Sequence, residues 1–265
     1  RATRNRTRSR LSGGSGTRSE VDQVEERLAG ARAIRAEVLQ AALESEAKFR
    51  AAVGTDPGKT HRVEYPANIP SSRKQAVDLA LANNSSIAAR SAEVDAMDFE
   101  KERAKSDLMP TLALEGSAQT GDDLNAVPGK NDDFTVKLRL SWRLYDGGVR
   151  NAKIGEAGAL ASEARLKRDL EIRKIVQAIE ATLGKYQASG ERLAAVEAQV
   201  AAARKVESSY RSEFEAGKRS LLDLLDAQNS VFTSRFESAS VAGVRLFSAW
   251  YIKALTGTLL SSLGL

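Results

Sequence analysis

Between Gly147 and Ala216 the chain runs for about 70 residues without a proline. Ile154, Ala157, Leu160 and Ala164, then Leu193, Val196, Val200, Ala203 and Tyr210, recur at intervals of three and four, which marks one face of a helix. At 1.5 Å per residue a helix over 147–216 measures about 105 Å. Gly217 ends it, and a second helix is expected over 218–254. Upstream, Ser71 or Ser72 caps a helix over 72–107, which Pro110 closes because the residue before a proline is pushed towards extended geometry. These two helices are each about 55 Å long and, placed end to end, match the long one. A tube or coiled coil uses helices of this length, so the sequence predicts an elongated rod.

Composition agrees with narrow helix seams. The chain is 42% hydrophobic but only 5% aromatic, too little bulk for a thick globular core. There is no cysteine, which excludes disulfide and thiolate chemistry. The net charge of +5 is diffuse and does not imply nucleic-acid binding. No run of 18 apolar residues occurs, which excludes a transmembrane helix, and the N-terminal residues have no apolar signal-peptide core.

Two segments break the helical pattern. In Phe134–Leu144 the residues Phe134, Val136, Leu138, Leu140, Trp142 and Leu144 alternate with Thr135, Lys137, Arg139, Ser141 and Arg143. In 111–120, Leu112, Leu114 and Ala118 share one face, and Ala113, Glu115, Ser117 and Gln119 the other. With the polar loop between them they form a β-hairpin, with strands at 111–120 and 133–145. About ten residues per strand is the length that crosses a bilayer at a tilt. The alternation fits two settings: a sheet with one face on a protein core and one in water, or a barrel strand with one face in lipid and one in a water-filled lumen. Asp146-Gly147-Gly148 then stops the strand. It reads either as an ordinary hairpin turn or as the swing from strand into helix. A hairpin turn should be followed by another strand, and none follows.

Before the hairpin, Val21, Val24, Leu28, Ala31, Val38, Ala42 and Phe49 mark a further helix over 17–53, ended by Gly54 and Pro57. Residues 54–71 form a linker, and 258–265 a C-terminal tail. The Arg-rich stretch 1–16 reads as a disordered tail or an expression scar rather than a nucleic-acid arm. A weak repeat is visible. Gly16, Arg18, Ser19 and Asp22 align with Gly217, Arg219, Ser220 and Asp223 at one offset. It predicts that 17–53 is the last helix of an incomplete first repeat and 72–257 a complete second one.

Four stretches together resemble the TolC family of outer-membrane efflux and type I secretion channels, over residues 17–265. "LSWRLYDGGVR" is similar to that family's strand-to-helix signature and "FEAGKRSLLDLLDAQNSVF" to its lower helical turn. "AVDLALANNSSIAA" and "KSDLMPTLAL" are similar to its pre-strand helix and the exit from it. The resemblance implies a mainly α protomer with a small β part: long antiparallel helices of an α-helical barrel plus one transmembrane β-hairpin. It implies a homotrimer in the outer membrane, with most of the chain in the periplasm, acting as a passive duct. A periplasmic adaptor protein, an inner-membrane transporter and outer-membrane lipid are its implied partners. In this reading Lys137, Arg139, Ser141 and Glu115 line the lumen. Asp223 and Asp226 ring the periplasmic entrance, Arg219 and Asp22 belong to the links that hold it closed, and Phe214 stands where well-known members carry a tyrosine. Arg143 replaces the family's usual proline. One strand pair, where four strands per protomer are expected, predicts an N-terminally truncated chain that does not form the native pore by itself.

Without the resemblance, Asp223 and Asp226 are acidic residues favoured at a helix start. A periplasmic coiled-coil adaptor or scaffold with no pore would account for the helices but not for the hairpin. His61 is the sole histidine, and neither a metal-ligand cluster, a phosphate loop nor a nucleophile elbow occurs. The sequence therefore predicts no enzyme, no metal, no cofactor and no nucleic-acid partner.

Overall fold

The computed structural model describes residues 17–58, 63–122 and 128–264. The Arg-rich stretch 1–16 and His61 lie outside them. Helix α1 is Arg18–Val53, α2 Arg73–Asn83 and α3 Ser85–Ser106. Strands β1, Thr111–Asp122, and β2, Lys130–Ser141, follow; then come α4, Val149–Glu215, α5, Leu221–Leu255, and a short α6, Leu259–Ser262. Helix α4 runs 67 residues unbroken, about 100 Å. The expected class, mainly α with one antiparallel hairpin, is the one observed.

Three boundaries differ from expectation. The helix expected over 72–107 is broken at Asn84, whose extended backbone (φ −72°, ψ 120°) ends α2 and starts α3. The second strand pairs from Lys130 and stops at Ser141, although the alternation continues to Leu144. Its partner explains this: Thr111 pairs with Ser141, and Pro110 precedes Thr111, so β1 has no residue left to extend the ladder. The C-terminal tail contains α6.

The chain forms two compact units, one of residues up to Ile69 with Thr182–Tyr251, the other of Pro70–Ala181 with Ile252 onward. In the first, Thr17 and Glu20 close a capping box on α1, Glu20 N–H donating to Thr17 Oγ1 at 3.3 Å and Thr17 N–H to Glu20 Oε2 at 3.2 Å. Val24, Phe214, Leu221, Leu224 and Leu225 form its apolar cluster, with Tyr210 against it. Arg192 on α4 pairs with Glu237 on α5, as the antiparallel helices require. In the second unit, Arg73–Glu180 and Arg165–Asp98 ion pairs set α2 and α3 antiparallel to α4. Its buried residues include Ala76, Ala80, Ala161 and Ala164 beside Ile87, Ile175, Ile179 and Ile252. Small side chains let helix backbones approach closely, which is why a chain poor in aromatics builds a dry seam here.

Candidate functional site

The hairpin sorts its side chains by face. Leu112 opposes Leu140, Leu114 opposes Leu138, Gly116 opposes Val136 and Ala118 opposes Phe134. These residues share one face, and its large members are open: Leu114 is 74% and Phe134 76% exposed. The other face pairs Thr111 with Ser141, Ala113 with Arg139 and Glu115 with Lys137. There Arg139 Nη2 donates diagonally to Glu115 Oε2 at 2.9 Å, so Lys137 is left as the unbalanced charge of that trio. In water, a two-stranded sheet with a bare leucine face is marginal at best.

At the hairpin's base Asp146 accepts three hydrogen bonds. Gly148 N–H donates to Oδ1 at 3.1 Å, and Arg150 N–H and Nε donate to Oδ2 at 3.1 and 2.7 Å. Gly147 and Gly148 both take positive φ, 70° and 88°, which is what lets the backbone turn from strand direction into α4. Loss of hydration pushes the Asp146 carboxyl up, but the hydrogen bonds and charge of Arg150, with the Gly148 amide, outweigh it and hold it below the usual carboxylate range. Arg150 also donates to the carbonyls of Asp107 (3.0 Å) and Arg143. One guanidinium thus joins the approach to β1, the exit of β2 and the first turn of α4. Trp142 Nε1 donates to Leu108 O at 3.1 Å, closing the base a second time. Arg150 was not singled out from the sequence, where it is only the basic residue after Asp-Gly-Gly-Val.

The turn between α4 and α5 is the other candidate. Lys218 N–H bonds Glu213 O at 2.8 Å and Gly217 N–H bonds Phe214 O at 3.1 Å, with Gly217 at φ 73°. That is a Schellman motif. Ser220 caps α5: Asp223 N–H donates to Ser220 Oγ at 3.2 Å, and Ser220 Oγ donates to Asp223 Oδ2 at 2.8 Å. Arg219 spans the turn. Its Nε pairs with Glu213 at 2.8 Å, its Nη1 lies 4.0 Å from Asp223, and its guanidinium sits 3.9 Å from the centre of the Tyr210 ring. Phe214 is buried in the apolar cluster. Asp226 pairs with Arg27 of α1 at 3.1 Å. Asp22 is exposed on α1 and makes no ion pair among the described residues. The structure thus brings Arg219, Asp223, Asp226 and Phe214 together, leaves Asp22 apart, and adds Arg27, Glu213 and Tyr210. No cluster able to hold a metal ion occurs among the described residues.

Residues 76–258 match the sequence model of a family described as outer membrane efflux protein. The chain belongs to this family. It is similar to the outer membrane efflux protein BepC of Brucella suis, 30% identical over 229 residues that make up 84% of this chain and 49% of BepC. It is similar to the alkaline protease secretion protein AprF of Pseudomonas aeruginosa, 27% identical over 176 residues, 65% of this chain and 36% of AprF. The fold resembles that of a membrane protein from Pseudomonas aeruginosa, with a TM-score of 0.81 at 16% identity, covering 97% of this chain and 61% of that one. The chain spans about half the length of BepC and less of AprF.

Proposed function

We propose that this chain supplies wall segments of a passive export duct in the outer membrane, the outer component of a tripartite efflux pump or type I secretion system. The duct is a homotrimer, most of each chain lies in the periplasm, and a periplasmic adaptor and an inner-membrane transporter dock to it. The observation that carries this reading is the hairpin. Strands of 12 residues, one bare apolar face and one charged face suit a barrel wall between lipid and water. Lys137, Arg139, Ser141 and Glu115 then line the lumen. Asp146, Gly147 and Gly148 carry each strand into the helical tunnel. The turn at Gly217 forms the periplasmic entrance, where Asp223 and Asp226 from three copies create a negative constriction and Arg219 ties the turn. Asp22, with no ion pair among the described residues, is available there to a neighbouring copy.

The absence of cysteine makes the test direct. Lys137→Cys and Leu138→Cys are adjacent in sequence and opposite in face. In intact outer-membrane vesicles a membrane-impermeant maleimide should label Lys137→Cys and spare Leu138→Cys until detergent is added. Equal labelling of both before detergent would remove the barrel reading.

A further inference from the structure

The polar face of the hairpin carries few charges, and they do not balance at every depth. Its charged residues are Glu115 on β1 and Asp133, Lys137 and Arg139 on β2. Asp133 stands at the loop end of the face, opposite Gln119. It is four residues from Lys137, about 13 Å along the strand, which exceeds the ~8 Å over which charges act through physiological salt. Glu115 is taken by Arg139, Nη2 to Oε2 at 2.9 Å. Lys137 sits directly across the ladder from Glu115 yet makes no ion pair among the described residues. One positive charge per hairpin is therefore left over at the rung of Lys137.

That rung lies at the depth of the apolar band. On the other face it is bracketed by the Leu114–Leu138 and Gly116–Val136 pairs, in the middle of the run from Leu112–Leu140 to Ala118–Phe134. A charge that faces water from a wall backed by lipid acts beside a low-dielectric medium, which focuses its field into the aqueous side. Strands added at either edge of the hairpin leave this sorting untouched, because side chains alternate between faces whatever the edge pairs with. We infer that Lys137 sets the charge preference of the duct at membrane depth and favours anionic cargo, solutes whose carboxylates or phosphates meet one ammonium from each copy. The sign is opposite to that of Asp223 and Asp226 at the α4–α5 turn, so the preference changes along the duct. The inference rests on the barrel reading above and adds to it the charge class of what passes.

The test uses Lys137→Cys in the assembled channel, in planar bilayers under a potassium chloride gradient, where the reversal potential reads the chloride-to-potassium permeability ratio. Every other charge along the duct is common to the forms compared, so their differences report this position alone. Lys137→Cys should lower the ratio below wild type. A positively charged methanethiosulfonate should then restore it and a negatively charged one lower it further, leaving the two about two-fold or more apart. Glu115→Gln, which leaves Arg139 as a second unbalanced cation, should raise the ratio above wild type. The reagents act on channels already assembled, so a folding defect cannot imitate the result. If a maleimide labels Lys137→Cys from water but the two methanethiosulfonates leave equal ratios, the inference is overturned and the barrel reading stands. If Lys137→Cys is not labelled before detergent is added, the barrel reading falls and the inference falls with it.

Discussion

The side-chain amide of Asn84 donates to the backbone carbonyl of Leu255 at 2.8 Å. The same side chain accepts from Ser86 N–H at 2.9 Å and from Ile87 N–H at 3.2 Å. One buried asparagine therefore caps the start of α3 and satisfies a carbonyl at the end of α5. Asn84→Ala removes the cap, worth about 1 kcal/mol, and strands the Leu255 carbonyl, which costs about 1–3 kcal/mol more. A loss of about 2–4 kcal/mol is expected in urea unfolding. Asn84→Ser keeps a capping oxygen and loses the reach to Leu255 without setting a second acceptor against its carbonyl, so it should fall between wild type and Ala. If Ala and Ser cost the same, the Leu255 contact is the whole effect and the cap contributes nothing.

Gly257 stands beside that staple. Its φ is 69°, and a Cβ built there would lie 2.2 Å from the Asn83 carbonyl oxygen. Gly217, in a turn of the same kind, has φ 73° and open space around it. Ala at Gly217 costs only the left-handed backbone, about 1–2 kcal/mol. Ala at Gly257 adds a clash with backbone that cannot rotate away, about 1–3 kcal/mol further. Paired thermal unfolding should show Gly257→Ala clearly the worse; equal shifts would mean that α2 and the end of α5 pack less closely than a 2.2 Å approach requires.

Much of this was legible in the sequence, for reasons that differ by element. The proline-free run to Ala216 could only be one long helix, and period-two alternation could only be strands. The break at Asn84 escaped because the apolar spacing runs through it. The Asn-Asn-Ser-Ser cluster, a run of capping residues inside a helix, was the signal available. The end of β2 escaped because pairing depends on its partner, and Pro110 removes that partner. Arg150 escaped because its work is done on carbonyls distant in sequence, which leave no period. At the α4–α5 turn the family resemblance implies a role for Asp22, whereas within one chain the link to Asp226 comes from Arg27, five residues on. Which α1 side chain reaches Asp226 is set by helix phase, which motif resemblance does not fix.

Asp146 should make the hairpin base acid-sensitive. Its carboxyl is held below the usual range once folded. The stability it adds is therefore complete above the ordinary carboxylate pKa of about 3.9 and is lost as pH falls through its lower folded value. Asp146→Asn should be less stable than wild type at neutral pH, and the gap should close below about pH 4. A gap that stays constant down to that pH would mean the Asp146–Arg150 pair does not hold the base.

The entrance reading is tested by asking which carboxylate is free. Asp226 already has Arg27 at 3.1 Å, whereas Asp223 has the Ser220 hydroxyl at 2.8 Å and the Arg219 guanidinium only at 4.0 Å. In a trimeric duct Asp223 should contribute more of the field that draws multivalent cations, so Asp223→Ala should relieve their block more than Asp226→Ala. Arg27→Gln unmasks Asp226 and should tighten the block. The pair is exposed, and such pairs are worth about 0–1 kcal/mol, so the tightening should not exceed about five-fold. It should shrink as salt is raised from about 0.1 to 1 M, where the screening length falls from about 10 to 3 Å. Arg219→Ser releases Glu213 and the Tyr210 ring together, loosens the turn and should raise single-channel conductance. Planar-bilayer recordings of the assembled channel read all four variants. If Arg27→Gln leaves block unchanged at low salt and Arg219→Ser leaves conductance unchanged, Asp223 and Asp226 are helix-start charges and the entrance lies elsewhere.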